Sequence, residues 1–503
     1  MHKKIFILLL LSTTLFARSQ NDRPLFLAHF MPWHQTPDVS GYWGWHWTMN
    51  HFNPKNMDEN GRRDIASHYY PLTGPYDSMD ADILEYQTLL MKLSGIDGVL
   101  VDWYGMEDFW DYGVLNQATQ ALFEACEKAG LSFAICYEDQ TIKHMVDNNH
   151  LKAEDDIAHG KEVMQYMESN WFQSAAYQKI NDQPLLLVFG PQYFRNTSNW
   201  NELFSVLSTA PLFFTENNRL NPAVGAYPWP PMWKSNADGL LTTEALNSYL
   251  RDFYNKAKSW DYLVAGAWPQ FDDIYKEAGV SDGYGLLEAH DGETLRSTLQ
   301  RALEQQPDAI QLVTWNDYGE GTMIEPTWEF GYRWLDIVLQ ARLSVDSDFY
   351  GNNDLLPVPL QMYGMRKEHP GDVGINQKLN DAFSFLISGQ IAEATDVLAA
   401  LGIVVSVENN QTGQPTGFML EQNYPNPFNP STHIAFTLAN NLDVTLRIYD
   451  LHGAEQQALS LGRRGAGRHV LQFDATALPS GVYIYRLDLD GTQVQSRKMM
   501  LLR

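Results

Sequence analysis

Between residues 24 and 315 the chain alternates short, nearly unbroken apolar runs with longer stretches whose apolar residues recur at helical spacing. The runs fall at 24–30, 98–104, 131–138, 184–190, 211–215, 223–227, 262–268 and 309–315. Each has strand length and no polar alternation, the pattern of strands buried on both faces. Segments 80–94 and 114–129, between such runs, place apolar residues three and four apart and read as amphipathic helices. Eight such strands with helical crossovers predict an α/β fold, a parallel (β/α)8 TIM barrel. An open doubly wound sheet competes, but no glycine-rich dinucleotide fingerprint follows the first run.

Beyond the barrel the pattern changes twice. Leu379, Phe383, Leu386, Ile391 and Leu398 form an apolar stripe over 376–401, read as one or two helices that pack on the barrel or cap it. Residues 406–417, SVENNQTGQPTG, have linker composition. From 418 onward, apolar and polar residues alternate strictly at 444–449 and 482–487, with glycine turns between runs, including one at His452–Gly453. This predicts a small all-β immunoglobulin-like sandwich. At the other end, Lys3 and Lys4 precede an apolar run over 5–16 and small residues Ala17 and Ser19, the layout of a secretory signal cleaved after Ser19. That run is too short to span a bilayer, and no later one is long enough. The expected division is a signal at 1–19, a barrel at 20–345, a helical extension at 346–405, a linker at 406–417 and an export-type β module at 418–503.

Composition sharpens this picture. Of 503 residues, 44% are hydrophobic and 13% aromatic, enough for a large core. The net charge is −26; residues 1–19 are +3 and 418–503 are +1, which leaves −30 on 20–417. Such a surface repels phosphate backbones, so nucleic acid is a poor partner. All 15 tryptophans lie between Trp33 and Trp334. Cys126 falls in a helix and Cys136 in the next strand; they either pair in an oxidising compartment or remain small buried hydrophobes. His29, His34, His46, His51 and His68 match no zinc spacing, so no metal and no cofactor is expected.

In a parallel barrel the chemistry sits where strands end. After successive runs come Trp33 and His34, then Asp102, Trp103 and Tyr104, then Glu138 and Asp139. Later ones are followed by Tyr227, Trp229 and Trp233, by Trp268 and Asp272, and by Asn316, Asp317 and Glu320. Carboxylates beside flat rings suit sugars, whose C–H faces stack on aromatics and whose glycosidic bonds break between two carboxyl groups. Asp317 and Glu320 are the best pair, three residues apart in a turn where Gly319 and Gly321 allow close approach. Trp45, His46 and Trp47, in the run GYWGWHW, read as a sugar-contacting loop.

Two resemblances attach to these residues. The segment LEQNYPNPFNPST at 420–432, with the turn after Tyr449 and the strand start at 480–483, resembles the C-terminal sorting domain of the type IX secretion system. That resemblance implies passage through the periplasm to the outer cell surface or medium, with the type IX machinery as a partner. The string TWNDYGEGTMIEP at 314–326, supported by Trp45–Trp47, YPLTGPYDS at 70–78 and GIDGVLVDWY at 95–104, resembles glycoside hydrolase family 99, the endo-α-mannosidases and α-mannanases. It is similar also to family 71, the α-1,3-glucanases. The resemblance implies a polysaccharide or oligosaccharide substrate with Asp317 as base and Glu320 as general acid/base. It further implies sugar contacts from Trp45, His46, Trp47, Tyr76, Asp77, Asp102, Trp103, Tyr104, Glu138, Tyr227, Trp229, Trp268, Asn316 and Glu325. In family 99 the base acts on the sugar 2-hydroxyl, and in family 71 the pair inverts. Asp rather than Glu at 317, and Gly rather than His at 319, leave substrate and stereochemistry open. The competing reading is a non-catalytic surface glycan-binding protein on an enzyme-like barrel.

Overall fold

The computed structural model describes residues 23–405 apart from 60 and 404, and the strands of 418–501 without some of their turns. The expected signal at 1–19, the linker at 406–417 and the turn at His452–Gly453 lie outside the described residues.

Eight parallel strands form a nearly closed barrel: β1 (Leu25–Phe30), β2 (Gly98–Trp103), β3 (Ser132–Tyr137), β4 (Gln183–Val188), β5 (Leu212–Glu216), β6 (Gly225–Tyr227), β7 (Val264–Ala267) and β8 (Ala309–Leu312). Each lies in, or overlaps by all but one residue, one of the eight apolar runs. Their order around the sheet is β6-β5-β4-β3-β2-β1-β8-β7, so the last strand pairs with the first, Leu25 opposite Ala309. β6 and β7 meet without a ladder among the described residues. There Gly225 is obligatory: a Cβ on it would stand 2.3 Å from the Tyr262 carbonyl oxygen.

Helices α1 (Ala81–Leu93) and α2 (Tyr112–Ala129) cover the first strands. Asp80 caps α1 by accepting the Asp82 N–H at 3.0 Å. α2 ends at Gly130, which takes the left-handed conformation that stops a helix cheaply. Cys126 on α2 and Cys136 on β3 are both buried and unpaired, the second of the two alternatives the sequence offered. α3 (Gln140–Asp147) follows β3 on the rim. After the barrel, α4 (Arg333–Val345), α5 (Val358–Glu368), α6 (Val373–Ile387) and α7 (Ile391–Ala399) complete the large unit. Leu379, Phe383, Leu386 and Leu398 join the same core as the barrel strands. Arg366 on α5 clamps Glu85 on α1 with two bonds of 2.7 and 3.0 Å.

The C-terminal module has two antiparallel sheets. Strands Phe418–Leu420, Ser431–Leu438 and Gly467–Asp474 make one; Leu442–Asp450, Glu455–Arg464, Gly481–Leu489 and Thr492–Leu501 make the other. The alternation seen in sequence buries Val444, Leu446 and Ile448 against Ile434, Phe436, Tyr485 and Leu487 in a separate core.

At the base of the barrel, Asp97 accepts bonds of 2.8 Å from both terminal nitrogens of Arg23, 2.9 Å from Arg342 on α4 and 2.9 Å from the Phe26 N–H of β1. Burial alone would raise its pKa; the Arg23 bonds and the Arg342 charge outweigh that and hold it below its ordinary value. Asp97→Asn should cost about 2 kcal/mol, the scale of lost hydrogen bonds to a charged group, because Arg23 and Arg342 each lose one carboxylate partner and keep Asp346. Its stabilisation is present above the ordinary carboxylate pKa of about 4 and is lost as pH falls through the lower folded value. Urea midpoints of wild type and variant should therefore differ at neutral pH and converge in acid.

Candidate active site

The carboxyl ends of the strands open onto one mouth. β8 runs into it through Trp315, whose backbone N–H donates to His29 O of β1 at 2.6 Å. The next residue, Asn316, accepts the Met31 N–H at 2.8 Å and returns its own amide N–H to Met31 O at 3.0 Å. A side chain here continues the β1–β8 ladder by one step. Asp317 and Glu320 follow at once. The Asp317 carboxylate accepts the Glu320 N–H at 2.9 Å, while Thr314 Oγ1 accepts the Asp317 N–H at 2.9 Å.

Strand alternation decides the rest. Asp102 and Trp103 are adjacent on β2, so their side chains take opposite faces. Asp102 points into the barrel and is bonded by Tyr104. Trp103 points at the helices, donates its indole N–H to Asn116 on α2 at 3.1 Å and packs on Tyr166 and Trp171. The structure therefore does not bring Trp103 to the mouth. Glu138 directly follows β3, and Glu216 is the last residue of β5.

These carboxyl groups act on one another. Burial raises all of them above their ordinary range. For Glu216 the result is about 7, opposed only in part by the Asn217 amide at 2.7 Å. On Glu138, burial is reinforced by the charges of Asp102, Asp139 and Glu216. Asp317 and Glu320 diverge. Burial raises Asp317, but backbone N–H groups of Glu320 and Gly319 stabilise its charge. Burial raises Glu320 too, and the Asp317 charge raises it further. Asp317 thus loses its proton first, and Glu320 keeps one to higher pH.

On the floor, His29 is fully buried and pushed down to about 3 by burial, so it is neutral. Gln311 meets its Nδ1 at 2.9 Å, and its Nε2 faces Asp102 Oδ1 at 3.9 Å; neither of these last two atoms has a hydrogen-bond partner. His29, Asp102 and Cys136 bring donor atoms within 4.8 Å, the one group among the described residues close enough to hold a metal ion. Burial raises both the Asp102 carboxyl and the Cys136 thiol, favouring their protonated forms over ligands for a cation.

Other expected sugar contacts are already occupied. Tyr76 OH donates to Glu325 at 2.7 Å, which also accepts from Tyr318 at 2.9 Å and Gln87 at 2.8 Å. Tyr76, Asn316 and Glu325 form a buried brace beneath the mouth. Asp77 accepts the Thr36, Ser40 and Met79 N–H groups and shapes a loop. Tyr227 OH donates to Val188 O at 2.7 Å inside the barrel. Trp229 is buried, edge-on to His29 at 4.9 Å. Trp268 is fully buried. Around Trp45, one helical turn separates what the sequence grouped. Trp47 is in the core with its N–H on Tyr76 O, His46 stacks flat on Trp33 at 3.9 Å, and Trp45 is exposed. Gly319 and Gly321 serve the protein rather than a ligand: a Cβ on Gly321 would stand 2.6 Å from Asp272 O, and on Gly319 2.9 Å from Met49.

The structure thus gathers Asp102, Tyr104, Glu138, Asp317 and Glu320. It adds Glu216, which the sequence reading passed over, and His29, which that reading weighed only as a metal ligand. Glu216 follows the run 211–215 with no aromatic residue among 217–226 to draw notice, yet its place at a strand end was signal enough.

The chain is 24% identical over 340 residues to a glycoprotein endo-alpha-1,2-mannosidase-like protein of Danio rerio, covering 62% of this chain and 73% of that one. A protein of Xanthomonas campestris, WxcX, matches at 23% over 363 residues; the match covers 63% of this chain and about half, 49%, of the relative. Among solved structures, the GH99 endo-alpha-mannosidase of Bacteroides thetaiotaomicron is 18% identical, with 65% and 97% covered and a TM-score of 0.48. Residues 422–501 match the family described as the secretion system C-terminal sorting domain. The end of the chain therefore belongs to that family, and it addresses the protein through type IX secretion to the cell surface or the extracellular space.

Proposed function

We propose that the mouth hydrolyses α-glycosidic bonds in a polysaccharide of α-mannan or α-glucan type, with Asp317 as base and Glu320 as general acid/base. One observation carries this reading: two carboxyl groups three residues apart share a turn in which the Glu320 N–H donates to Asp317 at 2.9 Å, so that burial raises both while the turn favours charge on Asp317. Backbone N–H groups favour the charge on Asp317, and that charge holds the proton on Glu320. Pairs of carboxyl groups pushed apart in this way divide into base and acid. Asp317 takes a proton from the attacking hydroxyl, either the sugar 2-hydroxyl or a water molecule. Glu320 gives its proton to the leaving glycosidic oxygen. In this reading Tyr104 and Asp102, bonded to each other, serve as partners for hydroxyls of the bound ring, and Glu138 and Glu216 extend the polar lining.

The names of the similar animal proteins support a mannose-containing substrate, and the sorting tail suits an enzyme that meets polysaccharide outside the cell. We further propose that 20–345 is the catalytic barrel and 346–405 its extension. Residues 406–417 link it to an immunoglobulin-like export module at 418–503.

The test is product release from α-mannan, α-1,3-glucan and a control β-glucan, followed by mass spectrometry, with NMR of the first-formed anomer to separate retention from inversion. Oligosaccharides from an α-glycan are expected. Retained binding to α-glycans with no product from any of the panel would instead support the non-catalytic reading.

Glu320→Gln should lower kcat about a thousandfold, the scale of a lost general acid, with thermal unfolding unchanged. The pH profile supplies a separate check. Activity needs Asp317 ionised and Glu320 protonated, so the rate should rise as Asp317 loses its proton and fall as Glu320 loses its own. Because Asp317 is raised, the acidic limb should lie above the ordinary carboxylate pKa of about 4. The alkaline limb should disappear in Glu320→Gln when a substrate with a good leaving group is used.

A further inference from the structure

An aromatic path leads out of the mouth along the loop between β2 and α2. Tyr104, bonded to Asp102, lies 5.5 Å ring to ring from Tyr112, and Tyr112 lies 5.8 Å from Trp110. Trp110 stacks on Phe109 at 4.7 Å and 25°, and the His144 ring of α3 lies 5.1 Å from the Trp110 ring, tilted by 38°. Tyr112 OH holds that imidazole by its Nδ1 at 2.9 Å. The rings are thus fixed relative to one another.

Trp110 itself carries two penalties. Its side chain is 61% exposed, so a large apolar surface stays in water. Its φ is +52°, a left-handed conformation that bulky residues rarely adopt. Phe109, not Trp110, is the ring of this pair that packs against the core, and Trp110 is set outward upon it. Strain of this kind persists where its surroundings impose it, and it gathers at binding sites.

We propose that Trp110, backed by Phe109 and His144, is a distal stacking platform for a sugar ring of the same glycan chain whose bond is cut between Asp317 and Glu320. The inference rests on the hydrolase reading and extends it: the substrate is a chain long enough to reach beyond Tyr104. A flat indole offers the C–H face of a pyranose what it needs without dictating linkage. The continuous path of rings places that face in line with the mouth rather than on an isolated patch.

The experiment measures kcat/KM of the full mature chain on short and long α-manno-oligosaccharides. Trp110→Ala should lower the preference for long over short chains about tenfold, the scale of one lost apolar contact, and Trp110→Phe should restore most of it. An unchanged preference in Trp110→Ala overturns the platform while leaving the hydrolase reading intact. If the wild type cleaves no α-glycan, that reading fails by itself. The platform is then judged by retardation of wild type and Trp110→Ala in gels containing α-mannan or α-1,3-glucan. Retardation lost in the variant supports it; equal migration, or none in the wild type, overturns it. Self-association that Trp110→Ala abolishes would assign the surface to a second copy and also overturn it.

Discussion

The side-chain amide of Asn316 is the hinge pin of the mouth. By matching both the N–H and the C=O of Met31, it prolongs the β1–β8 ladder after the strands have ended. The chain then turns under a fixed constraint, and the next carboxylates emerge at a set height above the barrel. The brace of Tyr76, Glu325, Tyr318 and Gln87 stands behind this turn, with three donors converging on the Glu325 carboxylate. An amide at 316 can meet a donor and an acceptor at once; a carboxylate could only accept and would leave the Met31 carbonyl facing a like charge.

The electrostatics of the mouth follow from that placement. Five strand-end carboxyl groups converge in a buried space, and the forces opposing their neutralisation are hydrogen bonds: Tyr104 on Asp102, Asn217 on Glu216, and two backbone N–H groups on Asp317. The base of the barrel is arranged in the opposite way, with Asp97 held charged between Arg23 and Arg342. One end keeps its acids poised to exchange protons, and the other locks a charge in place to fasten three segments together.

Much of this was legible in the sequence. The eight runs found the eight strands because parallel-barrel strands are buried on both faces and carry no competing pattern. The turn at 314–326 announced itself through paired carboxyls beside an amide. What the sequence hid was direction. Asp102 and Trp103 read as joint site residues, yet the pleat sends them to opposite sides of β2. The three aromatics of 45–47 read as one loop surface, yet a single helical turn spreads them among core, stack and solvent. Asp77, Tyr76 and Glu325 read as ligand contacts through the family resemblance; in the fold their polar atoms are bonded within the protein, Tyr76 to Glu325 and Asp77 to the Thr36 and Ser40 N–H groups. Trp110 was invisible for the converse reason, since nothing in the string EDFWDY says which of its rings stays outside.

The two cysteines gain a meaning from the address on the tail. Cys136 points into the barrel toward Tyr227, while Cys126 belongs to the helix layer outside it, so the finished fold keeps the thiols on opposite faces of β3. In the extended chain only nine residues separate them, and a protein bound for the cell exterior meets an oxidising environment before it arrives. A crosslink formed there would tie together two side chains that the barrel must hold apart. Once the barrel has closed, burial keeps both sulfurs away from oxidant and from each other.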